Sequence, residues 1–361
     1  MKKIRKNRLQ TVCANMHELG LPQILVTDTS SVYYLTGEWV VPMERMLALL
    51  IKEDGTCLRF GNALFGLQPM DGAQLFVHTD ADDPLRDLVK ALSPGVLGID
   101  KTWASRFLIP LMEKRPDVQI KLGSAPVDLA RMCKDAEEIA ALRRASQCND
   151  AVMQASIQKI HGGMTETELS AAVEQEYLRH GAQRPPEGLI TSFGENGADP
   201  HHSPADDVRL QRGDSIVMDI YTTMDRYWCD MTRTVFFGEV SDEQRRVYDL
   251  VRAANEAAEA MIRPGIPMSD IDAAARRVIE EGGYGPQFTH RLGHGLGIDC
   301  HEPPDNSASD HTLTKPGMVF SVEPGIYLPG NFGVRIEDLV LVTETGCEVL
   351  NHAPKDLLVV K

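Results

Sequence analysis

Hydrophobic and polar positions recur along this chain with two spacings, and the changes between them mark its organisation. Ile4, Leu9, Val12, Met16 and Leu19 fall on one face of a predicted amino-terminal helix. From Ile24 short β-type runs alternate with helical ones. ILVTD (24–28) and VYYLTG (32–37) come first, then MLALLIK (46–52) and TCLRF (56–60) about Asp54-Gly55, a hairpin signal. LFVH (75–78), a helix over DPLRDLVKAL, VLGID, a second helix over WASRFLIPLMEKR, and VQIKL (118–122) follow. This alternation predicts an α/β domain over residues 1–128.

A second domain, residues 129–361, opens on a different signal. Asp135 followed three residues later by Glu138 is a capping box. Ile139, Leu142, Ala145, Val152 and Ile157 continue it as a helical stripe. Thr165 and Glu168 start another helix in the same way. GMTETELSAA (163–172) then returns as GIPMSDIDAA (265–274), and Gly181 returns as Gly283 at the same offset. The strand from Gly213 to Asp219 returns as Gly317 to Glu323, each a glycine followed six residues later by an acid. Two halves of helix, helix and strand pair predict a duplicated α+β domain whose acids meet at a pseudo-two-fold axis.

The stretch GDSIVMDIYTTMDRYWCDMTRT (213–234) carries Asp219 and Asp230 in two β-rich runs. A hairpin centred between Met224 and Asp225 pairs 223 with 226, 221 with 228 and 219 with 230. The carboxylates then oppose each other at about 5 Å, where like charges are destabilising. A divalent cation between them suits that arrangement better than a lone ammonium; the alternative is a different register, or one Asp in the turn. From the second half, strict alternation in GVRIEDLVLV sets Arg335 and Glu337 on one face, opposite Val334, Ile336 and Asp338. Asp219, Asp230, Glu323 and Glu337 therefore converge as four carboxylates, which do not stay ionised together without cations.

Charge and cysteine usage narrow the setting. Lys and Arg number 37 against 52 Asp and Glu, a net −15, which argues against nucleic acid or an anionic membrane as partner. No stretch is apolar for long enough to span a bilayer. The seven cysteines are scattered with no C-x-x-C pair, the pattern of reduced thiols in a cytoplasmic protein. Cys229 and Cys300 each precede a candidate site residue and are read as core filler, because neighbours on a strand point to opposite faces.

Histidines complete the set. THRLGHGLGIDCHE (289–302) holds His290, His294 and His301 among glycines, and Pro200-His201-His202 lies in a loop before the first hairpin. An imidazole beside four carboxylates is the nitrogen ligand that Mn, Co or Zn accepts and that Ca or Mg seldom uses.

With Asp219, Asp230, His294, Glu323 and Glu337 in that order, the sequence resembles the pita-bread metallopeptidases, specifically the Xaa-Pro peptidases prolidase and aminopeptidase P. The likeness covers residues 135–361, and the first domain resembles the creatinase-type amino-terminal domain. Five ligand types in order across GDSIVMDIYTTMDRYWCDMTRT, HRLGHGLGIDCHE, MVFSVEPGIY and GVRIEDLVLV make the signal specific. The resemblance implies a pita-bread catalytic domain, a homodimer, and two divalent cations, Mn first with Co or Zn as alternatives. It implies that Asp219 chelates one cation, Asp230 and Glu337 bridge both, and His294 with Glu323 completes the second. The activity implied is hydrolysis of the bond before proline in a peptide substrate. Glu323 would shuttle protons, and His201, His290 and His301 would line the substrate pocket, one of them donating to the carbonyl oxygen. Arg335 would either hold a ligand carboxylate or pair with the carboxylate of a dipeptide's proline. Tyr327 is a candidate substrate contact or, with Thr232, a supporting group. The family's loop has one key histidine; local pattern favours His201, and counting back from Gly213 favours His202.

Dipeptidase is the leading activity and aminopeptidase P the alternative. A creatinase-like hydrolase or a non-catalytic pita-bread binding module is disfavoured by the presence of all five ligand types.

Overall fold

The alternation between Ile24 and Leu122 becomes one six-stranded mixed sheet in the computed structural model of the chain, which describes residues 3–185 and 188–361. The chain divides into two units, Met1–Arg131 and Met132–Lys361. In the first, α1 (Lys6–Glu18) precedes β1 (Gln23–Val26), α2 (Thr29–Thr36), β2 (Leu47–Lys52), β3 (Cys57–Asn62) and β4 (Gln74–His78). Then come α3 (Arg86–Ala91), β5 (Gly95–Ile99), α4 (Ser105–Lys114), β6 (Val118–Leu122) and α5 (Ala125–Met132). The strand order is β4-β3-β2-β1-β5-β6. Leu25, Leu50, Phe60, Leu88, Leu97 and Leu111 pack its core.

One expectation fails here. VYYLTG is not a strand but most of α2, whose cap Asp28 accepts from the backbone N–H of Ser31 and whose end is turned by Gly37 at φ 70°. β-branched and aromatic content suggested a strand, and the two caps overrode it.

The second unit opens with α6 (Ala136–Ile157) and α7 (Glu166–Arg179), both started by complete capping boxes at Asp135/Glu138 and Thr165/Glu168. β7 (Ile190–Phe193), β8 (Ser215–Met224) and β9 (Tyr227–Phe237) follow, then α8 (Asp242–Met261) and α9 (Met268–Glu281). The chain ends with β10 (Gly293–Gly295), β11 (Glu302–Asn306), β12 (Val319–Val322), β13 (Gly325–Leu328), β14 (Phe332–Arg335), β15 (Asp338–Val342), β16 (Cys347–Val349) and β17 (Val359–Val360). The sheets run β17-β9-β8-β7 and β11-β10-β12-β15-β16, with β13-β14 as a separate hairpin.

The duplication is conformational as well as sequential. Gly163 and Gly265 hold φ of 79° and 86°, and Gly181 and Gly283 hold 76° and 89°. Each half closes its own core. Val152, Leu169, Val173 and Tyr177 pack under β8 and β9 in the first, and Val247, Val251, Ile271 and Ile279 pack under β12 and β15 in the second. Between them, Glu337 N–H donates to Thr232 O and Arg233 Nη1 donates to Glu337 O at 2.6 Å. The seam therefore lies beside the acids.

Candidate active site

The β8–β9 ribbon sets the geometry, and its register corrects the expected one. Met224 pairs with Tyr227, Tyr221 with Asp230 and Asp219 with Thr232. The turn is Asp225-Arg226, both left-handed at φ 53° and 73°, as a type I′ turn requires. That turn matches the twist of the strands, whereas a turn at Met224-Asp225 has no such signal. Because the slip moves each partner by two positions, Asp219 and Asp230 keep a common face and become diagonal neighbours. Period two then also sets Tyr221 and Trp228 on that face.

The second half brings its residues to the same place. Asp230, His294 and Glu337 each offer a ligand atom within 4.8 Å of the others. His294 Nε2 lies 3.4 Å from Glu323 Oε1 and 3.8 Å from Asp230 Oδ2. Its Nδ1 faces Gly295 O at 3.1 Å, and since a carbonyl only accepts, the proton belongs on Nδ1 and the Nε2 lone pair points at the acids. Asp219 joins through Arg335, whose Nη2 donates to Asp219 Oδ2 at 2.7 Å. Thr232 Oγ1 donates to Glu337 Oε2 at 2.8 Å, and Ser321 Oγ to Glu323 Oε1 at 2.9 Å.

The electrostatics are those of a site that wants positive charge. Burial, and then the neighbouring Asp219 and Glu323, push the Asp230 carboxyl well above its ordinary range. Glu337 is pushed up by burial and then by Asp230 and the other acids; Glu323 is pushed up by burial too. Burial pulls His294 down to about 4, leaving it neutral at physiological pH. Asp219 Oδ1, Asp230 Oδ1 and Glu337 Oε1 are buried without a hydrogen-bond partner among the described residues. Buried unpaired carboxylate oxygens are expensive, and oxygen donors with one imidazole nitrogen form a set that divalent transition metals accept. The residues fit such ions.

A cavity of about 750 Å³ opens above these acids. Ile190, Tyr221 and Trp228 line one side, with Tyr221 OH donating to Gly188 O and Trp228 Nε1 to Ile298 O. Pro200, His201 and Ser203 line another; His290, Arg291, Cys300 and His301 come from the second half. His201 faces the cavity, while His202 turns away to Glu166 Oε2 at 2.9 Å. His301 lies tilted against His294 with ring centroids 3.9 Å apart, and burial followed by that neighbour pulls its pKa to about 4.

Several expectations change. Arg335 is buried and consumed: besides Asp219, it donates to Thr232 Oγ1, Pro200 O and Tyr327 OH. Of its two expected roles, the contact with a site carboxylate is the one seen, to Asp219, and Arg335 also lines the cavity. Tyr327 does not line the cavity. Its hydroxyl accepts from Arg335 and donates to His290 Nε2 at 2.8 Å, and burial pushes it up to about 12. His290 Nδ1 faces Arg291 O at 2.7 Å, so it carries the proton, and neither ring nitrogen is left to donate to a carbonyl oxygen. Cys300 is not core filler but lines the cavity, its thiol 3.7 Å from Asp230 Oδ2; it lies outside any strand, where alternation does not apply. Cys229 is buried in the first-half core. Tyr221, Trp228, Ile190, Ser203 and Arg291 escaped the sequence reading. Two of them, Tyr221 and Trp228, were within its reach, two residues from each aspartate.

Comparisons with known proteins agree with this geometry. Residues 140–344 match the model of metallopeptidase family M24, and residues 8–133 match the creatinase/prolidase N-terminal domain. An uncharacterized peptidase of Staphylococcus aureus (strain USA300) is 36% identical over 339 residues, spanning 91% of this chain and 94% of that one. A crystal structure of recombinant prolidase from Thermococcus sibiricus superposes with a TM-score of 0.91 at 32% identity, covering 98% of this chain and 99% of that one. An X-Pro aminopeptidase from Thermotoga maritima gives a TM-score of 0.83 at 29% identity, with 96% and 100% covered. Matched across both units and over most of its length, the chain belongs to metallopeptidase family M24.

Proposed function

We propose that this metallopeptidase hydrolyses the peptide bond before proline, with Xaa-Pro dipeptides as its first substrate class. The observation that carries the reading is the convergence of Asp219, Asp230, His294, Glu323 and Glu337 at one end of a cavity, with buried carboxylate oxygens that lack partners. These five residues would hold two divalent cations, Mn first. Bound there, such ions supply Lewis acidity, lowering the pKa of water and polarising the scissile carbonyl.

The chain's own groups do the rest. Glu323, its carboxyl raised by burial, takes a proton from the attacking water and returns it to the leaving proline nitrogen. His301, neutral because its pKa is near 4, donates one N–H to the carbonyl oxygen as it gains charge, with His201 across the cavity. The aromatic wall of Tyr221 and Trp228 excludes water and receives the apolar parts of the peptide. Arg335, Tyr327 and His290 form a hydrogen-bonded file that fixes Asp219 and the cavity wall.

The dipeptide reading is supported by the name of one structural neighbour, a prolidase, while the X-Pro aminopeptidase stands for the alternative. It extends to a homodimer in the cytoplasm; all seven cysteines are free thiols, as a reducing compartment keeps them. The test is turnover of Ala-Pro against Ala-Pro-Pro, with metal content after dialysis against Mn, Co or Zn. Two equivalents of metal with faster Ala-Pro cleavage are expected. Faster cleavage of the tripeptide would make it an aminopeptidase, and an inert, metal-free protein would overturn the reading.

A further inference from the structure

Glu166 is the first residue of α7, directly after its Thr165 cap, and is fully buried. Among the described residues, all four hydrogen bonds to its carboxylate come from one segment, residues 193–205. Oε1 accepts from Phe193 N at 2.7 Å and Asn196 Nδ2 at 3.1 Å, and Oε2 accepts from His202 Nε2 and Ala205 N, each at 2.9 Å. Four donors saturate an ionised carboxylate, and the helix amino terminus behind it favours the negative charge.

The internal duplication supplies a control for whether the fold itself needs this acid. Offset by 102 residues, α9 opens with Met268, which is buried in the second hydrophobic core. An apolar side chain serves the helix start there. The carboxylate of Glu166 is therefore tied to something only the first half possesses, the 193–205 segment with Pro200, His201 and Ser203 on the cavity wall.

The imidazole of His201 has no hydrogen bond of its own among the described residues, so its aim depends on its backbone. That backbone is gripped from two sides. On one, Arg335 Nη1 donates to Pro200 O at 3.3 Å, and a Cβ on Gly333 would stand only 1.8 Å from Gly197 O, so the strand and the loop meet backbone to backbone. On the other stands Glu166, reaching the residue next to His201 through His202.

We propose that Glu166 and His202 are positioning residues for the substrate-facing imidazole of His201. The buried carboxylate pins the loop at four points, and His202 is the side chain through which the pin reaches the adjacent position. The two neighbouring histidines thus divide the labour, one facing substrate and one facing the anchor. The inference rests on the peptidase reading above.

A double-mutant cycle on the full-length, metal-loaded enzyme with Ala-Pro as substrate tests it. H202A is expected to lower kcat/KM by about tenfold, the scale of a small misplacement of a contacting group. Metal content should remain at the wild-type value. H202Q, whose amide can donate to Glu166, should recover most of the loss. H201A/H202A should be no slower than H201A alone, because a residue that acts through His201 has nothing left to position. E166Q, which sets an amide donor against two of the loop's donors, should lose at least as much as H202A; if it does not fold, the His202 variants carry the test. Equal losses from H202A with and without His201, or no recovery with H202Q, would overturn the inference while the peptidase reading stands. A wild-type protein inert on Ala-Pro with its cations bound would overturn both.

Discussion

The two halves of the second unit share a frame and differ in what they attach to it. Helices α7 and α9 span Glu166–Arg179 and Met268–Glu281, an offset of 102 residues at both ends. Yet the first half contributes two aspartates from a single long ribbon, and the second contributes a histidine from the short strand β10 and two glutamates from the links that follow β12 and precede β15. Where the first half buries Glu166 to hold a loop, the second buries Met268 in its core. The repeated parts are the helices that apolar packing needs and the acid that follows each central glycine by six residues, Asp219 and Glu323, both at the cavity. Duplication supplied a scaffold and one acid from each half, and the remaining site residues lie where the copies diverge.

The comparison breaks most severely at the acids. Asp219→Ala removes a carboxylate whose counterpart in the second half, Glu323, remains but does not make the contact with Arg335. Turnover of Ala-Pro is expected to fall by at least about a hundredfold, more than loss of an outer hydrogen bond costs, with metal retention lost in parallel. Retained metal and activity would remove Asp219 from the site.

Next in size is the reverse exchange. Met268→Glu gives the second half the acid of the first without its four donors, leaving a buried charge uncompensated. A loss of about 3 kcal/mol or more is expected from the urea midpoint. A stable variant would mean that Glu166 reports on the helix start, not on the loop.

Arg335→Ala sharpens the seam between the halves. Since its guanidinium is committed to Asp219, Tyr327, Thr232 and Pro200, Ala-Pro and Ala-Pro-Pro should lose the same factor, about tenfold. A selective loss on the dipeptide would return Arg335 to the substrate carboxylate.

The smallest effect is a dependence on pH. Asp230 and Glu337 have folded pKa values above their unfolded ones, so stability is fully present below the ordinary carboxylate range and is lost as pH rises towards the folded values. His294, with a folded pKa of about 4 against an ordinary 6.5, is neutral in both states above the imidazole range and adds nothing there. Cations that replace the retained protons remove the loss. The Tm gap between metal-loaded and chelator-stripped protein should therefore widen as pH rises above the ordinary carboxylate range, by a few degrees if roughly 1 kcal/mol is at stake. A gap that narrows would show that the acids are not what the metal relieves.

Much of this was written in local pattern. The capping boxes at Asp135 and Thr165, the α/β alternation before residue 123 and the short motifs that carry the five candidate ligands are all short-range features. Each depends on a few neighbouring residues, which is why a sequence alone determines them. Period two even kept Asp219 and Asp230 on one face when the register slipped, because a slip of two positions preserves the face.

Other features were decided by partners distant in the chain. Cys300 reached the cavity through an irregular segment, Arg335 was claimed by Asp219 across 116 residues of sequence, and His202 turned to Glu166 across 36. No spacing rule encodes such choices. A polar side chain buried by folding must find its complement among whatever groups the packed halves bring near it, and that set exists only once the two cores have closed.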